Sequence, residues 1–440
     1  MIVMKFGGTS VGDADRISNV ANIIKSHINK KPVVVVSAVG GITNKLIELG
    51  NAAAEGKGNE VFENIKSIHY EILEILELDK SLVDNDIENL AVMIDEIKSS
   101  KNIDNKILDN VQSFGEQMSS KIVAAQLNKI GIKAKAFNSW DLGFLTNDDF
   151  GNAEPLEETF NNLNDNIKKL VVIPILTGFI GKTKDGEITT MGRGGSDYSA
   201  AIVGSAINAD EIQIWTDVDG IMSTDPKMVD NAKNLEEISF AEASELAYFG
   251  AEVLHPKTIL PAMEKNIPVR VLNTFKPKNN GTIILNKVKK TNQVVKAIAY
   301  KKNIIMINIQ STRMLGAYGF LARLFDIFDK YKKSVDVIST SEVSVSLTIN
   351  NNENIDNIAR DLKGIADIQV INNKTVISLV GEGIGNTPGI SGRTFTALGK
   401  NKINIEMISQ ASSGVNITFV VDGKDAESAI KFLHEEYFEN

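Results

Sequence analysis

Gly192-Arg193-Gly194-Gly195-Ser196-Asp197 is the stretch around which the rest of this chain is organised. The residues that follow, 198–204, have the small and apolar composition of a buried helix. Glycines and a serine at a helix start leave backbone N–H groups free at the positive end of the helix dipole, which favours a bound anion. Arg193 adds a guanidinium that can hold a carboxylate or a phosphate through two hydrogen bonds.

Asp197 places a carboxylate where a simple anion site would not need one. Beside a phosphate site, a carboxylate usually positions a lysine or a hydrated metal ion. The alternative is an ordinary glycine turn in which Ser196 or Asp197 caps the helix. The stretch alone leaves the two interpretations equal, and the decision depends on the rest of the chain.

The N-terminus contains a second arrangement of this kind. Residues 1–6 are mostly apolar and predict a short strand, which runs into a glycine-rich loop at 7–12 and a helix over about 14–29. This order is typical of phosphate sites, although the glycine spacing fits neither a P-loop nor a dinucleotide-binding fingerprint. Burying the Lys5 ammonium without a partner would be costly, so Lys5 either contacts a phosphate or faces water on an edge strand.

Polar residues follow the next predicted strand. Residues 33–36 have the continuous apolar character of a parallel strand buried on both faces. Ligands bind beyond the carboxyl ends of such strands, so Ser37 and Thr43 are candidate contacts, although turn chemistry would also explain them. In the mainly helical region that follows, Glu116 is either a first-turn acid of a helix at 118–127 or a contact for a substrate ammonium.

Strands and helices continue to alternate up to about residue 285. Strands are predicted at 171–176 and at 211–220, the latter ending in acids, with a hairpin around Asp185-Gly186 between them, and 267–271 is predicted to be the last strand. This alternation predicts an α/β domain over residues 1–285.

The C-terminal part contains an internal repeat of the pattern βαββαβ. The first copy covers residues 303–371, and the second covers 372–440 but stops after its second helix. A closing strand is therefore missing, and the segment 294–300 is otherwise unpaired. We expect residues 294–300 to complete the sheet of the second copy.

Bulk composition excludes several classes of function. A length of 440 residues predicts two or three domains, and 43% hydrophobic with 23% charged residues is typical of a globular protein. The net charge of −9 argues against nucleic acid as the main partner, and no apolar run is long enough to span a membrane. The absence of cysteine excludes thiolate chemistry and fits a cytoplasmic protein. The four histidines are scattered, so no metal site is predicted.

Three motifs in this order resemble those of the aspartate kinases: Lys5-Phe6-Gly7-Gly8-Thr9-Ser10, Gly192–Asp197 and Trp215-Thr216-Asp217-Val218-Asp219-Gly220. The repeat is similar to the paired ACT domains that follow the kinase domain in that family. The resemblance runs essentially end to end. It implies an α/β fold with an open, mainly parallel sheet between helices (the amino-acid-kinase fold), followed by two ferredoxin-like ACT domains.

The resemblance implies transfer of the ATP γ-phosphate to the side-chain carboxylate of L-aspartate, with Mg²⁺. Lys5, Asp197 and Arg193 would carry the reaction. Arg193 would hold the α-carboxylate of aspartate and Glu116 its ammonium, with Ser37, Thr43 and Ser196 nearby. The residues that fall at the family's nucleotide site are Lys5, Gly7, Gly8, Thr9, Thr216, Asp217, Met222, Lys227 and Lys257. Met222 and Lys227 depart from the aromatic residue and the arginine that are frequent in relatives, which weakens the assignments there.

The first repeat falls where the family binds a feedback amino acid. The positions concerned are Met314, Gly319, Phe320, Leu321, Val335, Asp336, Thr340, Ser341 and Glu342. Helix-start N–H groups would bind the carboxylate of the effector, and Asp336 with Glu342 could meet a cationic end, which favours lysine over threonine. Ordinary capping and strand-end chemistry is an alternative.

The resemblance also implies a homodimer or a larger assembly through the ACT domains. Two other functions stay open at this point. One is a kinase of the same fold for another carboxylate, and the other is an amino-acid-sensing protein with an inactive kinase domain. A dead domain would have no need for Lys5, Arg193, Asp197 and Asp217 together.

Overall fold

The computed structural model describes residues 1–250, 256–288, 293–314, 318–350, 353–410 and 414–439. The chain forms two compact units. The first comprises residues 1–221, 236–240 and 253–288, and the second comprises 222–235, 241–252 and 289–440. The helices among the described residues lack the combination of length and apolar composition that a bilayer span requires.

The first unit is built on an eight-stranded sheet in the order β3-β4-β2-β1-β7-β9-β10-β8. The strands up to residue 285, including a separate hairpin formed by β5 and β6, are β1 (Ile2–Phe6), β2 (Pro32–Val36), β3 (Ala134–Phe137), β4 (Ile173–Thr177), β5 (Ile180–Lys182), β6 (Ile188–Thr190), β7 (Glu211–Thr216), β8 (Glu237–Ser239), β9 (Val269–Asn273) and β10 (Thr282–Leu285). The pairing is parallel except between β9 and β10.

Nine helices lie in the described sequence up to residue 288, of which α8 falls in the second unit and the other eight in the first. They are α1 (Ala14–Ser26), α2 (Ile42–Ala54), α3 (Asn59–Ile75), α4 (Ser81–Ser100), α5 (Asn105–Lys129), α6 (Glu157–Ile167), α7 (Gly195–Ile207), α8 (Phe240–Tyr248) and α9 (Pro256–Glu264). Strands β1 and β2 are buried at every residue, because helices cover both faces of a parallel sheet. Apolar side chains of α1 to α5 form one continuous core with these strands.

One expectation about the first unit is wrong. Residues 267–271 were expected to hold the last strand, but β10 follows and pairs antiparallel with β9. Asn279 to Gly281 lie in the turn between these strands, where Gly281 has a φ of +61°.

The second unit contains a six-stranded sheet in the order β12-β13-β11-β14-β16-β15. Its elements are β11 (Ala297–Gln310), α10 (Phe320–Lys330), β12 (Ile338–Thr340), β13 (Ser344–Ile349), α11 (Ile355–Lys363), β14 (Asp367–Val380), α12 (Ile390–Lys400), β15 (Met407–Ser409), β16 (Asn416–Asp422) and α13 (Ala426–Phe438). Both βαββαβ copies therefore share one sheet.

The two longest strands join the copies. Residues 297–301 of β11 pair antiparallel with 376–380 of β14, and residues 306–310 of β11 pair with 367–371. Each copy thus receives four strands, and the segment before the first copy supplies the fourth strand of the second. The sequence suggests separate strands on either side of residue 303, whereas the structure continues each strand through register shifts between Lys301 and Met306.

Candidate active site

A cavity of about 490 Å³ lies in the first unit, beyond the carboxyl ends of β1 and β2. Eight of the residues that the sequence singles out line it: Lys5, Gly8, Ser37, Thr43, Glu116, Arg193, Ser196 and Asp197. Parallel strands deliver their carboxyl ends to one edge of the sheet, so residues far apart in the chain meet there. The cavity therefore combines cationic, anionic and hydroxyl groups from four separate segments.

Lys5 and Asp197 form an ion pair at this cavity. The Lys5 Nζ atom is 2.6 Å from Asp197 Oδ1, and the two side chains are only 10% and 15% exposed. Strand β1 lies between β2 and β7, so the alternative in which Lys5 faces water on an edge strand is wrong. Removing one partner of such a pair leaves a buried charge and costs about 3–5 kcal/mol, which fixes the Lys5 ammonium in place.

The glycine-rich stretch lines the cavity beside Lys5. Gly194 is the N-cap residue of α7 and has a φ of +70°, a conformation that glycine adopts without strain. No side chain caps this helix, so the interpretation of Ser196 or Asp197 as a cap is wrong. Both residues lie in the first turn, where backbone N–H groups have no acceptor within the helix and favour an anion.

Glu116 is a buried acid with one free carboxylate oxygen. It lies in the middle of α5, so the interpretation as a first-turn acid is wrong. Its Oε1 accepts a hydrogen bond from the Ala38 N–H at 2.9 Å, and Oε2 has no hydrogen-bond partner within the described ranges. Burial raises the pKa of Glu116 to about 8, although backbone hydrogen bonds and the charge of Lys5 act in the opposite direction. The free oxygen is suited to a ligand cation.

Gly115 explains how Glu116 reaches the β2–α2 loop. A Cβ atom at Gly115 would lie 2.7 Å from the Ala38 Cβ, which is closer than real side chains approach. Glycine at this position lets α5 pack directly against the residue whose N–H binds Glu116. A larger residue at 115 would push the helix away from the cavity.

Sequence reasoning missed two further polar residues on the same helix. Asp109 is buried and accepts hydrogen bonds from Gly151 N, Thr190 N and Thr190 Oγ1 at 2.7–2.8 Å, while Gln112 lines the cavity. Burial raises the pKa of Asp109, and the bonds from Thr190 and Gly151 oppose that shift. The spacing 109, 112 and 116 places all three side chains on one helical face, and this spacing was a usable signal.

The residues predicted to bind nucleotide divide between the two units. Gly7 donates its N–H to Trp215 O at 3.2 Å, which joins the loop after β1 to the end of β7. Thr216 ends β7, and its hydroxyl donates to Asp217 Oδ1 at 3.1 Å. Thr9 is exposed. Lys257, also in the first unit, pairs with Glu154 at 2.7 Å.

Met222 and Lys227 belong to the second unit, in the segment 222–235. Their assignment to the nucleotide site stays a prediction. In the part of the chain that the structure describes, no group of three or more His, Asp or Glu side chains is placed to hold a metal ion by itself.

The predicted effector residues lie within the first repeat. Gly319 is the N-cap of α10 with a φ of +73°, Phe320 is buried as its first residue, and Leu321 is exposed. Val335 and the buried side chain of Asp336 precede β12. Met314 is half-buried, Thr340 ends β12, and Ser341 and Glu342 are exposed. Residues 315–317 of the predicted effector loop lie outside the described residues.

Comparisons with known proteins agree with this architecture. The model of the amino acid kinase family matches residues 1–273, and an ACT domain model matches residues 377–437. Aspartokinase 1, chloroplastic, of Arabidopsis thaliana is 40% identical over 457 residues, which cover 100% of this chain and 80% of the relative. Lysine-sensitive aspartokinase 3 of Escherichia coli is 36% identical over 100% of this chain and 99% of its own length.

Among solved structures, E. coli aspartokinase III in complex with aspartate and ADP is similar over the full length of both chains. The TM-score is 0.83 at 35% sequence identity. That complex represents the R-state of the E. coli enzyme.

Proposed function

This chain belongs to the aspartokinases of the amino acid kinase family, and we propose from that premise how its residues transfer the γ-phosphate of ATP to L-aspartate. The product is 4-phospho-L-aspartate. The observation that carries the proposal is one cavity in which the Lys5–Asp197 pair, the free oxygen of Glu116 and the Arg193 guanidinium meet. These groups are complementary to a phosphate, an ammonium and a carboxylate.

Aspartate binds through both ends of its backbone. Arg193 holds the α-carboxylate through charge-assisted hydrogen bonds, and Glu116 accepts from the ammonium. Ser37, Thr43 and Ser196 supply hydroxyl groups around the substrate. The side-chain carboxylate is left free and points to the phosphoryl group.

The reaction needs no general base, because the attacking carboxylate is already ionised. A carboxylate oxygen forms a bond to the γ-phosphorus, the bond from that phosphorus to the β–γ bridging oxygen breaks, and ADP leaves with the electron pair. The difficulty is the repulsion between two anions and the charge on the transferred group. Lys5, held by Asp197, and the free N–H groups at the start of α7 lower that repulsion, and Gly7 and Gly8 let the backbone approach the phosphates.

ATP would carry Mg²⁺ on its phosphates. Mg²⁺ is usually held by one or two carboxylates together with substrate phosphates and waters, rather than by a cage made of protein groups alone. Asp197, whose carboxylate lines the cavity, fits the role of such a carboxylate. The ion would neutralise charge on the phosphates.

The nucleotide site extends from the first glycine loop to the end of β7. We assign Thr9, Thr216, Asp217 and Lys257 to it. Support comes from the parallel pairing of β1 with β7, which brings the loops after both strands to the same edge of the sheet.

Regulation occurs through the ACT repeats, with lysine as the effector. A relative that is 36% identical over its length is named lysine-sensitive. Asp336 is an anionic group that a lysine side chain can bind, and the N–H groups at the start of α10 suit a carboxylate. We further propose a domain division at about residues 285 and 371, a homodimer or larger assembly through the ACT repeats, and a cytoplasmic location.

The decisive experiment is turnover of MgATP and L-aspartate in the presence of hydroxylamine, which traps an acyl phosphate as a hydroxamate. We expect hydroxamate with L-aspartate, and inhibition by L-lysine. Hydroxamate with another carboxylate only would indicate a kinase for that substrate. Lysine binding without any hydroxamate would indicate a sensing protein. Inhibition by threonine and not by lysine would contradict the effector assignment.

A further inference from the structure

A buried aspartate in the second unit already binds an ammonium group. Asp336 precedes β12, and its side chain is only 3% exposed. The Nζ atom of Lys301, from β11, lies 3.3 Å from Asp336 Oδ1. Lys301 is 27% exposed, so part of its side chain contacts solvent while its ammonium group contacts the acid.

Two further side chains complete the surroundings of this ammonium. Tyr248 donates its hydroxyl to Asp336 Oδ1 at 3.1 Å, and Asn350 donates its amide to the same oxygen at 3.3 Å. The Lys301 Nζ atom also lies 5.6 Å from the centre of the Tyr248 ring. A carboxylate together with an aromatic face is a general recognition site for an amine cation. We call Asp336, Tyr248 and Asn350 the ammonium site.

Within the described residues, only one of the two carboxylate oxygens of Asp336 accepts hydrogen bonds. The three donors meet at Oδ1, while Oδ2 is buried and has no hydrogen-bond partner in the described part of the chain. A carboxylate can accept about four hydrogen bonds, so an ammonium that takes the place of Lys301 can contact Oδ2 as well as Oδ1. A buried polar atom without a partner is unfavourable, which favours a ligand that supplies N–H groups there.

We infer that Lys301 is the internal occupant of the ammonium site and competes with the side-chain ammonium of an effector lysine. The inference rests on the proposed regulation through Asp336 and names the residue that sets its sensitivity. The effector carries the same chemical group as Lys301. Binding therefore exchanges one ammonium for another at Asp336. The free energy that this contact adds to effector binding is only the difference between the interaction of Asp336 with the effector ammonium and its interaction with Lys301.

The second repeat offers a contrast that supports this inference. Glu406 precedes β15, much as Asp336 precedes β12, and it pairs with Lys374 at 2.6 Å. Lys374 is 8% exposed and also pairs with Asp422 at 3.0 Å. That lysine is enclosed and binds two carboxylates, whereas Lys301 is more exposed and binds one. An external ammonium can replace Lys301 far more readily than Lys374.

The experiment compares L-lysine inhibition of the hydroxylamine-coupled reaction in the full-length wild type and in Lys301→Met. Methionine keeps the apolar stem and removes the charge. We expect the half-inhibitory lysine concentration to fall by about tenfold, since a hydrogen-bonded charge is lost as a competitor. Lysine affinity measured by calorimetry without ATP should change by the same factor. L-norleucine, which lacks the side-chain ammonium, should inhibit neither protein.

Lys302→Met is the matched control. Lys302 is the next residue on β11, and its Nζ atom contacts Met228 Sδ and the Tyr300 ring. Its lysine sensitivity should equal that of the wild type. If Lys301→Met does not fold, Lys301→Gln replaces it, with the same expected direction. Unchanged or weaker lysine inhibition in the charge-free variant would overturn the competition.

Asp336→Asn separates this inference from the proposed regulation. We expect that variant to lose lysine inhibition while it keeps aspartate kinase turnover. If Asp336→Asn stays fully sensitive, the proposed effector site is wrong. If Asp336→Asn becomes insensitive but Lys301→Met behaves as the wild type, only the competition is wrong.

Discussion

Two buried lysine–aspartate pairs, one in each unit, differ in how firmly the lysine is held. Lys5 and Asp197 are 2.6 Å apart and both are nearly enclosed, whereas Lys301 and Asp336 are 3.3 Å apart and the lysine is 27% exposed. Lys5 lies on a central parallel strand, and Lys301 lies beside a register shift of β11. Under the proposals made above, one kind of ion pair serves as a fixed part of the reaction site in the first unit and as a replaceable occupant in the second.

Both pairs lie near a carboxylate oxygen that lacks a hydrogen-bond partner within the described residues. In the first unit it belongs to a second acid, Glu116, and in the second unit it belongs to Asp336 itself. In our proposals, the substrate ammonium adds to the existing ion pair at the first site, whereas a ligand ammonium competes with the lysine for one acid at the second site.

The largest effect is expected from Lys5→Met. Losing a preorganised cation at the phosphates should lower kcat by about 10²–10³-fold in the hydroxylamine assay. Lys25→Met, an exposed lysine on α1, should keep normal turnover. Aspartate affinity of the Lys5 variant, measured by calorimetry, should show whether the cavity is still formed. A near-normal kcat would contradict the proposed role of Lys5 as a fixed cation at the phosphates.

Arg193→Ala should act mainly on aspartate binding. Charge-assisted bonds to the α-carboxylate are lost, so the KM for aspartate should rise by about 10–100-fold with a smaller change in KM for ATP. Arg193→Lys keeps the charge but not the two-pronged geometry and should recover only part of the loss. A larger rise in the KM for ATP than for aspartate would place Arg193 at the phosphates instead.

The pKa of Glu116 predicts how the KM for aspartate depends on pH. Burial raises the pKa of its carboxyl group to about 8 in the free protein, and only the ionised form attracts the substrate ammonium. The KM for aspartate should therefore fall as pH rises, by about fivefold from pH 7 to pH 8. In Glu116→Gln this fall should disappear. A wild-type KM that is flat over this range would contradict the assignment of Glu116 to the ammonium.

The smallest effect on function is expected from Lys374→Met, which removes the enclosed lysine of the second repeat. Catalysis and lysine sensitivity should stay unchanged, because this pair is not among the residues that we assign to the substrate or the effector. Two carboxylates lose their partner, so the unfolding temperature should fall by about 5 °C in a thermal melt. A change in lysine sensitivity would show that the second repeat also takes part in effector binding.

Much of the fold follows from local pattern. A continuous apolar run predicted β2 as a buried parallel strand, residues 1–6 predicted a short strand where β1 lies, and the Asp185-Gly186 signal predicted the hairpin of β5 and β6. Strand β10 was missed because it has four residues and follows a polar turn directly. Such a segment carries too few residues for a periodic signal, and its pairing with β8 and β9 comes from tertiary contacts.

The candidate site was predicted in part. Lys5, Glu116, Arg193 and Asp197 were singled out from the sequence, and the structure places all four around one cavity. Asp109 and Gln112 were missed although they share a helical face with Glu116. Their spacing indicated the shared face, but polar residues are also ordinary on an exposed helix surface, so the burial of α5 was needed to show that this face points inward.

The sequence by itself determined the order of elements, the glycine loops and the repeat, because strand, helix and turn patterns depend on residues that are neighbours in the chain. Which charges meet was decided only by the tertiary structure. The Ala38 N–H that binds Glu116 lies 78 residues away, and Lys301 is 35 residues from Asp336. Ion-pair and desolvation energies depend on the distance and burial of two atoms in space, and the register of the sheet and the packing of α5 set both.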